Sequence, residues 1–163
     1  MNIEYTKEKP TITFHVDMDP VGKQRPRFNG KTHHTYTPKK TVDAEKQIRA
    51  AYLKESGGYR FPDNTPLAMT VIAYYPVPQS ASKKQRSLML ERSIFPSKKP
   101  DWDNIGKLVA DAINGIAYDD DKSIVNGTVV KRYASHGGIT VVLTEHKEDV
   151  MPKNTKIIET EEK

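Results

Sequence analysis

Five aspartates in two short stretches suggest the chemistry of this chain. Asp101 and Asp103 stand two apart in Lys99-Pro-Asp-Trp-Asp-Asn104, and Asp119, Asp120 and Asp121 follow one another in Tyr118-Asp-Asp-Asp121. Ionised carboxylates brought together repel, and they stay charged only where a cation compensates them. Oxygen-only ligation by a few Asp suits a hard divalent ion, Mg2+ or Mn2+, whereas zinc wants His or Cys. The chain has no cysteine, which excludes a thiolate metal site and a disulfide framework alike. Paired ions of the hard class activate water and stabilise the leaving oxygen in phosphodiester hydrolysis. The same residues also have a structural reading, because Asp is a common helix N-cap and a triple-Asp turn is often a solvated loop.

Lys107 sits one helical turn after Asp103, and Asp111 one turn further on. Its ammonium either pairs with Asp103 or Asp111 across that turn or holds a scissile phosphate and stabilises the charge that develops there. Asp111 is then a partner of Lys107. For the two acidic stretches to meet, the chain must double back over a helix of roughly 16 Å. A strand that starts at Ser123 and runs antiparallel beside that helix would return it.

The elements that must position these groups follow from periodicity. Ile105, Leu108, Val109, Ala112, Ile113 and Ile116 recur at helical spacing, with Asp103 or Asn104 as the cap and Asn114-Gly115 as the end. An alternating strand is expected over 11–18, and an apolar, β-branched strand over 67–75 belongs centrally in a sheet. Two more strands, 124–133 and 139–144, flank Ser135-His-Gly-Gly138, a hairpin connection. A helix capped by Thr41 or Asp43 runs to Gly57-Gly58, and a basic helix starts at Ser80 or Ser82. Between Pro20 and Lys31, Pro and Gly break regular structure in a loop that carries Lys23, Arg25 and Arg27. Trp102 reads as a packing anchor. The order of elements gives an α/β (α+β) fold, one mixed sheet packed against helices.

The length of 163 residues suits one core, hence a single domain over 11–145, a flexible start over 1–10 and a charged, poorly ordered tail over 146–163. No apolar run is long enough to span a membrane and the start lacks the apolar stretch of a signal peptide, so a cytoplasmic location without a membrane partner is expected. The net charge of +5 is compatible with a polyanionic partner.

Residues 99–124, with Asp-Trp-Asp-Asn, Lys107, Asp-Ala-Ile-Asn-Gly115 and Asp-Asp-Lys-Ser-Ile124, closely resemble the central motif of RusA-type Holliday junction resolvases. Pro20-Val-Gly-Lys-Gln-Arg-Pro-Arg-Phe28 and Tyr36-Thr-Pro-Lys-Lys40 look like the family's too, so the resemblance covers roughly 11–145. It implies a homodimeric α/β endonuclease of bacteria and their phages that binds four-way DNA junctions and, with Mg2+ or Mn2+, nicks two strands symmetrically in recombination and repair. It also implies Asp101, Asp103 and Asp121 as catalytic metal ligands and Lys107 as the motif lysine. Two departures bear on the third ligand: Ser123 stands where the family often has Gln, and Asp119 precedes the Asp120-Asp121 pair, of which Asp121 is favoured. Lys23, Arg25 and Arg27 then read as a phosphate clamp, since guanidinium forks suit backbone recognition without reading bases; Lys98 and Lys99 lie beside the acidic site and suit the same task. A catalytically silent DNA-binding accessory protein on the same scaffold is the competing class.

Overall fold

The computed structural model describes residues 10–147. Its elements run β1 (Thr11–Val16), β2 (Arg27–Asn29), β3 (His34–Tyr36), α1 (Lys39–Ser56), β4 (Leu67–Pro76), α2 (Lys83–Leu90), α3 (Trp102–Ile113), β5 (Ile124–Ala134) and β6 (Gly138–Glu145). Most of the two expected termini lies outside the described residues; His146, inside them, donates its backbone N–H to Pro66 O at 2.8 Å. Among the described residues, no helix is long and apolar enough to cross a membrane.

One mixed sheet has the order β1-β6-β4-β5, antiparallel except for the parallel pair β4 and β5. In β4 every second residue is buried, Leu67, Met69, Val71, Ala73 and Tyr75, as the two-residue period of a strand over a core requires. With Phe14, Val16, Ile139, Val141 and Leu143 they form the floor of the core, and α1 and α3 cover it with Ile48, Tyr52, Ile105, Leu108 and Ile113. Burying one such side chain contributes roughly 1.5–3 kcal/mol. The fold is thus the mixed-sheet α+β domain that the periodicities predict.

Several local expectations are corrected. Ser135 to Gly138 does not close a hairpin: β4 lies between β5 and β6, because the strand with the most continuous apolar face takes partners on both edges. Helix α1 begins at Lys39, behind Pro38; the Pro38 carbonyl accepts from Thr41 N and Val42 N, and Thr41 is buried instead of capping. Helix α3 begins at Trp102 with Asp101 at its N-cap, which puts Asp103 inside the first turn. The expected irregular loop contains a separate antiparallel hairpin, β2 with β3, its turn held by Lys31 N and Thr32 N donating to Asn29 Oδ1. Trp102 is 64% exposed and anchors no core, since the inward positions of α3 start at Ile105.

The basic loop before β2 docks on the start of α3. Lys23 N donates to Asn104 O at 2.9 Å, and a Cβ on Gly22 would lie 2.8 Å from Pro100 Cβ and 3.1 Å from Asn104 Cβ. Gly22→Ala is therefore expected to cost about 1–3 kcal/mol through overpacking, read as a lower urea midpoint; an unchanged midpoint would show that this docking contributes nothing to stability.

Candidate active site on the rim of helix α3

The first turn of α3 is the meeting point of three adjoining hollows. One of about 450 Å3 is lined by Lys23, Lys40, Lys99 and Asp101. The next, about 620 Å3, is lined by Lys98, Asp101, Trp102, Asp103 and Lys131. A third of about 300 Å3 is lined by Trp102, Asp103, Gly106, Lys107 and Asp121. Asp101 borders the first two and Asp103 the last two, so together they form a trough with carboxylates along its line and ammonium groups on its rim.

Local structure explains why Asp101 and Asp103 are there. Asp101 caps α3 with its backbone, its carbonyl accepting from Ile105 N at 3.2 Å, while its side chain makes no capping hydrogen bond. The preceding loop, with a cis Lys99-Pro100 peptide, is pinned to the sheet. Tyr75 Oη donates to Pro100 O at 3.3 Å, and Lys131 Nζ donates to Pro100 O at 3.0 Å and to Lys98 O. Burial, and then the charge of Asp101, push the Tyr75 hydroxyl up to about 12, so it stays a donor at neutral pH. Lys98 Nζ lies over the Tyr75 and Tyr133 rings at 5.5 and 5.7 Å, a cation–π arrangement.

The triple-Asp turn divides its carboxylates. Asp119 faces Arg60 Nη2 at 3.5 Å. Asp120 caps the short 3-10 turn 121–123, accepting from Lys122 N at 2.9 Å. Asp121 alone of the three reaches α3, its Oδ2 3.4 Å from Lys107 Nζ. The chain does double back as required, and Tyr118, buried with its hydroxyl donating to Ala110 O at 2.8 Å, ties the return to the helix.

Lys107 Nζ also donates to Asp111 Oδ1 at 3.0 Å, and the other oxygen, Asp111 Oδ2, lies 2.9 Å from Lys23 Nζ. Lys23 in turn pairs with Glu45 of α1. An alternating chain of charges, Glu45, Lys23, Asp111, Lys107 and Asp121, thus joins α1, the basic loop, α3 and the acidic turn. The structure places Lys23 inside this network, while Arg25 and Arg27 are exposed. Lys98 and Lys99 border the trough, Lys99 beside Asp101.

Among the described residues no three His, Cys, Asp or Glu side chains form a ready cage for a metal ion. What the trough does offer is an all-oxygen donor set, Asp103 and Asp121 bordering one cleft and Asp101 the adjoining hollow. Among the described residues no cation pairs with Asp101 or Asp103. Mg2+ is usually held by one or two carboxylates together with waters and substrate phosphates, and this donor set fits that open mode better than a closed site.

The sequence profile described as Endodeoxyribonuclease RusA matches residues 17–144. The chain belongs to the RusA endodeoxyribonuclease family. It is also similar to the uncharacterized protein YqaN of Bacillus subtilis (strain 168), 32% identical over 142 residues, which are 82% of this chain and 96% of that one. The family match spans both acidic stretches and the basic loop. Family membership supports junction-resolving endodeoxyribonuclease activity, and the trough is the feature of this chain to which that chemistry can be attached.

Four contributors escaped the sequence: Glu45, Tyr75, Tyr118 and Lys131. Tyr75 lies in the expected central strand and Tyr118 beside the acidic turn, and nothing in their spacing marks their hydroxyls, which need partners once buried. Asp111 carries a pH signature. Burial pushes its carboxyl up, but hydrogen bonds and charge from Lys23 and Lys107 more than reverse this and hold it below its ordinary 3.8. A depressed carboxylate stabilises the fold fully above its unfolded value and loses that contribution as pH falls through the folded one. Asp111→Asn should therefore melt below the parent at neutral pH, and the gap should narrow as pH falls below about 4. A gap independent of pH in melts across that range would refute the network's role.

Proposed function

We propose that this chain is a structure-selective endodeoxyribonuclease that resolves four-way DNA junctions and related branched DNA in recombination and repair. The observation that carries the reading is the trough at the start of α3, where Asp103, Lys107 and Asp121 border one cleft in a chain of this family. Asp101, Asp103 and Asp121 would hold a divalent cation, Mg2+ or Mn2+, which when bound supplies Lewis-acid assistance to phosphodiester hydrolysis.

The chain's own residues do the rest. Lys107, presented by α3 and steadied by Asp111 at 3.0 Å, offers its ammonium to the scissile phosphate and to the charge that builds on it. Hydrogen bonds to Asp111 first, then the charges of Asp111 and Asp121, raise its pKa against the opposing effect of burial, so it acts as a fixed cation and not as a proton donor near neutral pH. Arg25, Arg27, Lys98 and Lys99 hold backbone phosphates along the rim, which positions DNA without reading sequence. Lys23 reaches this task through Asp111, as a support of the loop that carries Arg25 and Arg27. Paired symmetric nicks require two such sites in register, and a homodimer supplies them.

A synthetic four-way junction incubated with and without Mg2+ tests the proposal. Paired nicks that need the ion are expected. Asp103→Asn should keep junction binding and lose cleavage, and Lys107→Ala should slow cleavage by about a hundredfold or more. Junction binding with no nicks would leave a silent DNA-binding protein, and cutting of linear duplex without preference for branches would leave a general nuclease; either result contradicts the proposal.

A further inference from the structure

The β2–β3 hairpin is unexplained by the trough. It pairs only with itself, as a sheet of two strands, an element of marginal stability on its own. It nevertheless exposes two aromatic rings, Phe28 at 65% and Tyr36 at 48%. The Phe28 ring meets one other ring among the described residues, the T-shaped His33 at 6.1 Å. The cross-strand register sets Phe28 opposite Thr35 and Arg27 opposite Tyr36, so ring and guanidinium point to opposite faces of one narrow arm.

Charge says what kind of partner this arm fits. From Pro20 to Val42 the chain carries Lys23, Arg25, Arg27, Lys31, Lys39 and Lys40 and no Asp or Glu. Lys23 is taken up by Glu45 and Asp111, and Lys39 by Asp43 at 2.7 Å. Among the described residues Arg25, Arg27 and Lys31 have no carboxylate partner. An exposed ring amid unpaired cations fits a polyanion that also offers flat apolar faces, which is nucleic acid. The hairpin's base is fixed beside the trough, through Lys23 N to Asn104 O at 2.9 Å and Gln24 N to Thr41 Oγ1 at 3.4 Å. Arg27 lies four residues beyond Lys23, within about 14 Å along the chain.

We propose that the hairpin is a DNA-engaging arm in which Phe28 stacks on an unstacked base at the branch point, while Arg25, Arg27 and Lys31 grip the phosphates around it. Base pairs inside a duplex hide their faces from a side chain; a branch point exposes them, so Phe28 contributes selectivity for structure without reading sequence. The inference rests on the proposed reading of the protein as a branched-DNA nuclease, and it adds a site distant in function from the carboxylates.

The test uses the full chain without divalent ions, on a four-way junction carrying 2-aminopurine either at the branch point or in mid-arm, with a linear duplex beside it. The parent protein is expected to change the fluorescence of the branch label and not of the arm label. Phe28→Ala, at an exposed position, should melt like the parent, abolish that change and weaken junction binding about tenfold, with duplex binding unaltered; Phe28→Tyr should restore both. Parent-like junction binding and fluorescence in Phe28→Ala would overturn the stacking role and leave the ring to a protein partner. Equal weakening on junction and duplex would overturn it too, since the ring would then only shape the hairpin. If the parent itself shows no preference for the junction, the underlying reading fails, a result distinguishable from both.

Discussion

Negative charge concentrated along one helix has to be compensated, and much of the architecture follows from how this chain does it. Asp103, Asp111 and Asp121 all face the exposed side of α3 or the turn beside it, where unscreened carboxylates would repel. Two lysines answer part of the problem. Lys107 spans Asp111 and Asp121, and Lys23 reaches the free oxygen of Asp111 from another segment. The bridging is specific in space, because each oxygen of Asp111 faces a different ammonium. Asp101 and Asp103 are left with no such partner among the described residues, beside hollows open to solvent. The helix N-terminus tempers the charge of Asp103 only modestly. That imbalance, neutralised on one flank and uncompensated on the other, is the electrostatic character from which cation binding is inferred.

Holding the uncompensated pair in place falls to the sheet. Tyr75 and Lys131 stand on the parallel neighbours β4 and β5 and reach the same carbonyl, Pro100 O, so the residue before Asp101 is fastened from two strands at once. The acidic turn reaches the helix because β5 starts immediately after it and lies against β4. A buried hydroxyl, that of Tyr118, secures the return. The rigid core below and the polar clamps above are therefore one device: apolar alternation builds a platform, and a few polar groups at its edge aim the carboxylates.

Much of this was legible in the residues. The stripe Ile105, Leu108, Val109, Ala112, Ile113 has a helical period that no strand could satisfy, and the apolar, β-branched run over 67–75 marked a central strand. The spacing of Asp103, Lys107 and Asp111 put them on one helix face before any coordinates. Other features depend on long-range partners that periodicity cannot report. The insertion of β4 between β5 and β6 is a choice among pairings of similar local appearance, and two strands of three residues each in the basic loop leave too short a pattern to see. Lys23 read as one cation of a phosphate clamp; its pairing with Asp111 needs the packing of Gly22 on Pro100 and Asn104. Trp102 lies at the first position of α3, where an aromatic can point outward as easily as in, and it does point outward.

Division of labour within the acidic residues is the structural lesson. Six aspartates lie between 101 and 121, yet Asp119 serves Arg60, Asp120 caps its own turn, and Asp111 holds two lysines. The other three, Asp101, Asp103 and Asp121, are the ones we propose for the cation site. Crystals soaked in Mn2+ and measured for anomalous scattering address that assignment most directly. A peak in contact with the carboxylates of Asp103 and Asp121, on the side open to Asp101, is the expected result. A map with no peak at these carboxylates, and with Lys107 still resting on Asp121, would contradict it.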